Sequence, residues 1–297
     1  MNTVGVIGLG IMGSSYVRNL LKNGFQVVGY DLDTARVQEL QAEGMQPGKS
    51  AVDVASQCTE IITSLPSPQA LHKVVAELAE LGPRLREIVV ADTCTLAMAD
   101  KVLAMQNLHA AGGTLLDSPV SGTGAQAAKG DLIVFASGNA EGVKRMMPVF
   151  AGIGRLTHDL GAFGNGSKMK YVANLLVTIH NVSTAEAFAF AQKAGIAPES
   201  AYKALFGGAG SSRILEVRGP MMVAGDYQTG LSATHRLMHK DISIISGYID
   251  ALAADTPLFN LAAKIHDEAI ELGFEMQDTA SVCAVMEHRN GINRSKG

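Results

Sequence analysis

The chain is short of cysteine, of net charge and of long apolar runs, and each shortage excludes something. Its three cysteines, Cys58, Cys94 and Cys283, form no CxxC pair, which excludes a disulfide framework and reads as reduced thiols. The formal charge is −4 and no strong basic block occurs, which argues against nucleic acid as a partner. No uninterrupted apolar stretch reaches membrane-spanning length, so no membrane association is expected. A strand pattern begins at Thr3, leaving no room for a signal or transit segment, and the expected location is the cytoplasm. The eight histidines show no metal spacing; His235 and His239 stand one turn apart without a completing Cys or carboxylate set, so no metal is expected. What the chain does have is apolar residues, 47% against 18% charged, enough for a large core over 297 residues and about two domains.

The first half alternates short β-like runs with helical patterns. The candidate strands are Val4–Leu9, Gln26–Asp31, Ile61–Leu65, Ile88–Asp92, Thr114–Asp117 and Leu132–Ser137, with helical patterns such as Gly13–Asn23 and Ala70–Leu81 between them. That alternation predicts a doubly wound, mostly parallel sheet. Beyond about Gly161 the strand signals cease and helical runs follow, beginning with Ser167–Ala194. The expected division is residues 1–162 as a cofactor-binding domain and 163–297 as an all-helical domain for substrate and oligomerisation. The final stretch, 290–297, is polar and reads as loose.

Three local patterns carry chemistry. The first is Gly8-Leu9-Gly10-Ile11-Met12-Gly13, a GxGxxG that follows a strand and opens a helix. Gly8 permits the tight turn, Gly10 lets backbone approach a pyrophosphate, and Gly13 allows close helix–strand packing. Asp31 follows at the end of the second strand, where a carboxylate accepts hydrogen bonds from ribose hydroxyls and repels a 2′-phosphate, so NAD is expected over NADP. Asp33 and Arg36 nearby leave room for the other choice, since an Arg can cradle that phosphate. The whole is therefore read as α/β: an N-terminal Rossmann sheet and an all-α C-terminal domain, joined by a long interdomain helix.

The second pattern is a polar seam on that long helix. Lys170 and Asn174 stand one turn apart, with Ser167 one turn before and Asn181 two turns after, among apolar Met169, Val172, Ala173, Leu175, Leu176 and Val177. A Lys in such a seam implies that one face borders a wet cleft. The third is Ser121-Gly122-Thr123, whose backbone N–H groups and two hydroxyls suit a substrate carboxylate. Arg213, after Ser212, could grip a second carboxylate or point to solvent.

With these motifs in order, the chain resembles the β-hydroxyacid dehydrogenase family over nearly its whole length. Gly8–Gly13 is similar to the family's cofactor loop, and Leu65-Pro66 to its cofactor-contacting turn. Asp92-Thr93-Cys94-Thr95 resembles its Asp-x-Ser-Thr segment, which implies that Thr95 lies near the nicotinamide. The run from Asp117 to Thr123 resembles its substrate motif, Gly164–Asn174 its catalytic helix, and Lys240-Asp241 its late Lys-Asp pair beside the cofactor. The chain departs from the pattern at Cys94, Thr123, Ala173, Arg213 and Ala233, which leaves the Lys170–Asn174 pair intact but not the identity of the substrate.

The resemblance implies hydride transfer between a small hydroxy-carboxylate and NAD, giving a semialdehyde or 3-oxo acid. Lys170 is the candidate general base, its ammonium disfavoured by partial burial and by the helix N-terminus, with Lys240 adding repulsion if it faces the same cleft. Asn174 would hold the substrate hydroxyl, with Ser121, Gly122, Thr123, Ser212 and Arg213 completing the substrate set. The alternatives are an NADPH-dependent aldehyde or imine reductase, and a catalytically silent dinucleotide-binding module; relatives of the imine-reducing kind generally lack Lys at the position of Lys170, and those of the silent kind carry a non-basic residue there. The apolar surface of the helical domain exceeds what it can cover alone, so a homodimer or homotetramer is expected.

Overall fold

The computed structural model describes residues 3–294. The chain folds as two compact units that divide between Lys170 and Tyr171. The first unit opens with β1 (Thr3–Ile7), α1 (Ile11–Lys22), β2 (Gln26–Tyr30), α2 (Thr34–Ala42), β3 (Gln46–Pro47), α3 (Ala51–Gln57) and β4 (Glu60–Thr63). It continues with α4 (Pro68–Ala79), β5 (Val89–Asp92), α5 (Met98–Ala110) and β6 (Thr114–Asp117). These strands form one parallel six-stranded sheet in the order β3-β2-β1-β4-β5-β6. Chain order reverses beside β1, which puts the crevice for a ligand at the carboxyl ends of β1 and β4.

Both faces of this sheet are buried, which is why its strands read as continuous apolar runs. Successive residues alternate between two cores. Val4, Val6, Ile62, Ala91 and Leu116 pack on one side with Leu20 and Phe150. Ile7, Ile61, Val90 and Leu115 pack on the other with Leu71, Leu78 and Leu108.

Next come β7 (Val120–Ser121), α6 (Gly124–Ala127), β8 (Ile133–Ala136), α7 (Ala140–Ile153) and β9 (Leu156–Asp159). The run read as a sixth strand, Leu132–Ser137, does not extend the parallel sheet. It is the centre of a separate three-stranded sheet, antiparallel to β7 and parallel to β9. A single bridge between Asp117 and Ser137 links it to β6.

Helix α8 (Asn165–Lys193) carries the chain into the second unit, which is helical: α9 (Pro198–Leu205), α10 (Arg213–Ala224), α11 (His235–Ala251), α12 (Pro257–Glu271) and α13 (Val282–Arg289). Its core joins Val182, Ala185 and Phe188 of α8 to Met222, Ile265, Val282 and Val285. The stretch after α13 is not loose as far as it is described. Ile292 packs on this core, and Arg294 donates to the Val223 carbonyl at 2.8 Å and pairs with Glu287. The guanidinium also donates to the Met222 carbonyl, so it satisfies acceptors that the end of α10 leaves open. Residues 295–297 lie outside the described residues.

Candidate active site

In the first unit the glycine loop leaves β1 and enters α1. Gly8 has φ +91°, and a Cβ there would fall 2.2 Å from the Ser64 carbonyl oxygen. A Cβ on Gly13 would fall 1.9 Å from the Gly8 carbonyl oxygen, so both glycines are demanded by the fold itself. Gly10 is different: within 4 Å its Cβ would meet the Arg36 guanidinium at 3.2 Å and nothing else. No side chain caps the start of α1, and no acidic residue sits in its first turn. An uncapped helix N-terminus behind a bare backbone fits the pyrophosphate of a dinucleotide. Ile11 beside it is 77% exposed, an apolar surface available to a bound cofactor, whereas Leu9 is buried in the core. Met12 is partly buried and packs on the same core.

Asp31 follows β2 directly. Its carboxylate accepts from the Leu9 N–H at 2.5 Å and from the Asp33 N–H at 2.8 Å, which fixes it against the glycine loop. Arg36 pairs with Asp33 at 3.1 Å. Leu32, also 77% exposed, offers an apolar face next to that carboxylate, and sequence reasoning passed over it.

The turn at Leu65-Pro66 is tied to the segment after β5, since the Leu65 N–H donates to Cys94 Sγ at 3.0 Å. Thr93 donates to the Thr63 carbonyl at 2.8 Å, so Thr95 emerges from a loop held to the neighbouring strand. Burial pushes the Cys94 thiol well above its usual range, as it does for Cys58 and Cys283, each raised to about 12. All three are free and buried.

Behind this loop lies a group that sequence reasoning did not assemble. Lys101 of α5 is fully buried, with Nζ 2.6 Å from Asp92 Oδ2 and 2.9 Å from Asp117 Oδ1. The two carboxylates stand in register at the ends of β5 and β6. Asp117 also accepts from the Ser167 N–H and the Ser167 hydroxyl, both at 2.7 Å, and so caps the first turn of α8. A Lys in a helix ordinarily reads as solvated, so no local signal marks Lys101.

The carboxylate loop is partly engaged internally. Gly122 has φ +142°, and Thr123 forms a capping box with Gln126, its N–H donating to Gln126 Oε1 and its hydroxyl accepting from the Gln126 N–H. That ties up the Thr123 N–H and leaves Ser121 and Gly122 as the nearer candidates for an anion. The Thr-x-x-Gln spacing is a readable capping signal.

The polar seam of α8 is buried throughout: Ser167, Lys170, Asn174, Thr178 and Asn181. Its opposite side carries exposed apolar residues, Met169, Val172 and Leu176, the reverse of an ordinary surface helix. In the second unit, Asn174 donates its amide to Asp241 Oδ2 at 2.9 Å, and Lys240 lies 3.1 Å from Asp241 Oδ1. Asp241 thus joins Asn174 and Lys240 in one cluster and supplies Lys240 with a counter-charge. Ser212 and Arg213 are engaged elsewhere. Ser212 caps α10 through the Leu215 N–H, and Arg213, 70% exposed at its side chain, pairs with Glu216 at 3.0 Å. Among the described residues no group of three His, Cys, Asp or Glu is placed to hold a metal ion, and no helix is long and apolar enough to cross a membrane.

Comparison with known proteins decides the family. Residues 3–164 match the NAD binding domain of 6-phosphogluconate dehydrogenase, and residues 164–286 match the NAD-binding domain of NADP-dependent 3-hydroxyisobutyrate dehydrogenase. The L-threonate dehydrogenase of Cupriavidus necator is 31% identical over 285 residues, covering 95% of both chains. The chain belongs to the β-hydroxyacid dehydrogenase family. It is an oxidoreductase of CH–OH donors that uses a nicotinamide dinucleotide. Another relative is the NAD-dependent L-serine dehydrogenase of Pseudomonas aeruginosa, 29% identical with 98% of this chain and 100% of the relative covered. The crystal structure of 3-hydroxyisobutyrate dehydrogenase from Salmonella typhimurium superimposes with a TM-score of 0.83 at 27% identity, over 96% of this chain and 100% of that one.

Proposed function

We propose that this dehydrogenase oxidises the hydroxyl-bearing carbon of a small β-hydroxy acid with NAD, Lys170 serving as general acid/base, and gives a semialdehyde or 3-oxo acid. The observation that carries the reading is the placement of Lys170. It is a buried lysine on α8, one turn after the Ser167 that Asp117 holds at the carboxyl edge of the sheet, and one turn before Asn174. NAD when bound accepts the hydride; the chain's own residues must hold the acid and take the hydroxyl proton. Ser121 and Gly122 are the proposed carboxylate contacts. Asn174, its amide fixed by Asp241, turns its carbonyl oxygen to the substrate hydroxyl.

L-threonate, L-serine and 3-hydroxyisobutyrate, named for the relatives, all carry a hydroxyl on the carbon β to a carboxylate. NAD is favoured over NADP because Asp31 presents a carboxylate at the end of β2 and Arg36 is already paired with Asp33. Residues 1–162 are proposed to bind the cofactor and 163–297 the substrate. The exposed Met169, Val172 and Leu176 of α8 favour a homodimer or homotetramer, acting in the cytoplasm.

The test is steady-state NAD reduction at alkaline pH with 3-hydroxyisobutyrate, glycerate, L-threonate, serine and 3-hydroxypropionate, with NADP alongside. Lys170→Ala is expected to lose about 10²–10⁴-fold in kcat while NAD still binds. Full activity in that variant would remove Lys170 from the mechanism.

A further inference from the structure

The ion group around Lys101 has a geometry that a purely structural contact does not need. Buried ions are commonly replaceable by apolar side chains of similar volume without loss of stability, so their presence calls for another account. Here one ammonium reaches three acceptors: Asp92 Oδ2 at 2.6 Å, Asp117 Oδ1 at 2.9 Å and the Asp92 carbonyl at 3.4 Å. Asp92 leads into the loop of Thr93–Thr95, while Asp117 caps α8 through Ser167. The two carboxylates are in register on neighbouring strands and excluded from water, with the Lys101 ammonium seated between them.

The start of α8 is held closely around the Asp117 contact, with Asn165 donating to the Leu160 carbonyl at 2.8 Å. The Gly166 N–H donates to Ser137 Oγ at 2.9 Å, and a Cβ on Gly166 would fall 2.3 Å from the Phe135 carbonyl oxygen. Ser167 is three residues before Lys170, so a change at Asp117 is passed directly to Lys170 through one turn of helix.

We propose that Lys101 is a positioning residue: by holding Asp92 and Asp117 together it sets the first turn of α8, and with it the place of Lys170 relative to the loop that carries Thr95. This inference rests on the reading of Lys170 as the proton-transfer group. Thr63 completes the group by donating to Asp92 Oδ1 at 2.8 Å. The other titratable groups facing it are Cys94 and Tyr16, and burial holds both protonated by raising them far above their usual values.

The experiment compares Lys101→Met with the double variant Lys101→Met/Asp92→Asn, which restores the net charge of the group. Amide hydrogen exchange at residues 166–170 is read in the cofactor-free protein. NAD affinity, KM and kcat are then read from pH 6 to 9 with whichever acid of the panel turns over. In Lys101→Met, kcat is expected to fall about 100-fold with KM and NAD affinity within about threefold. The Ser167 amide should exchange at least about tenfold faster while β2 keeps its protection. The double variant should recover most of the rate; it also carries the test if the single variant does not fold. Lys101→Met with normal rate and normal Ser167 protection overturns this inference alone, as does a folded double variant that stays slow at every pH. Full activity in Lys170→Ala overturns the base assignment and this inference together.

Discussion

Asn174 and Asp241 stand 67 residues apart in sequence and 2.9 Å apart in space, amide to carboxylate. Nδ2 of Asn174 donates to Asp241, so the amide carbonyl oxygen is presented the other way. Lys240 closes the cluster at 3.1 Å from the second oxygen of Asp241.

Asp241→Asn is therefore expected to release the amide orientation without removing the amide. Activity should drop about tenfold, mainly in kcat, because a misplaced hydroxyl partner costs rate more than binding. Asn174→Ala should cost more, about 100-fold, since the hydroxyl partner is gone altogether. Steady-state kinetics on both variants checks the order; an Asp241→Asn enzyme slower than Asn174→Ala would mean that Asp241 acts on its own account.

Two glycines of one loop are expected to fail in different ways. Gly13→Ala drives a methyl into the Gly8 carbonyl and should unfold or displace the start of α1. Gly10→Ala meets only the end of Arg36, so the protein should keep its melting temperature and lose cofactor affinity. Thermal unfolding beside NAD titration separates the two outcomes.

Cofactor choice is expected to follow Asp31. Asp31→Ser removes the carboxylate that would face a 2′-phosphate, and it also frees the Leu9 and Asp33 N–H groups to face an anion. The ratio of kcat/KM for NADP over NAD should rise by about 10-fold or more, with the Arg36 guanidinium, beside Gly10 and Asp33, able to receive the phosphate. An unchanged ratio would place the discrimination elsewhere.

Acid stability should be governed by a buried histidine pair in the second unit. His235 and His266 face each other with ring nitrogens 3.3 Å apart. Burial lowers His235 to about 4, and burial, His235 and Arg218 together lower His266 to about 3. Both folded values lie below the unfolded value near 6.5, so the unfolded chain binds protons first as pH falls. The neutral pair is fully tolerated above about pH 6.5, and stability is lost from there down to about pH 4 for His235 and about pH 3 for His266, at up to about 1.4 kcal/mol per pH unit for each ring. Urea midpoints from pH 7.5 to 4.5 should show that slope, and His266→Leu should roughly halve it.

Much of the first unit was legible because its signals are local. The glycine loop, the strand before it and Asp31 after β2 are all marked by residue types within a few positions of one another. The all-parallel order of the sheet follows from the alternation of strand and helix. What was not legible depends on long-range partners. β3 is two residues long and β9 is mostly exposed, so neither shows an apolar period. Leu132–Ser137 has the pattern of a buried strand, but nothing local tells which sheet receives it. Lys101 meets Asp92 and Asp117 only after three elements have packed, and Asn174 meets Asp241 only across the helical core. Thr123 is a different case, for its capping box could have been read from Gln126 three residues on.

Arg294 shows where this protein resists trimming. Its guanidinium is a rivet through the second unit, holding the end of α10 by two carbonyls and α13 by Glu287, which is itself held to α8 by Gln192 at 2.8 Å. A stop codon or a protease acting after Arg289 would remove only residues that look dispensable by composition, yet it would loosen three helices together.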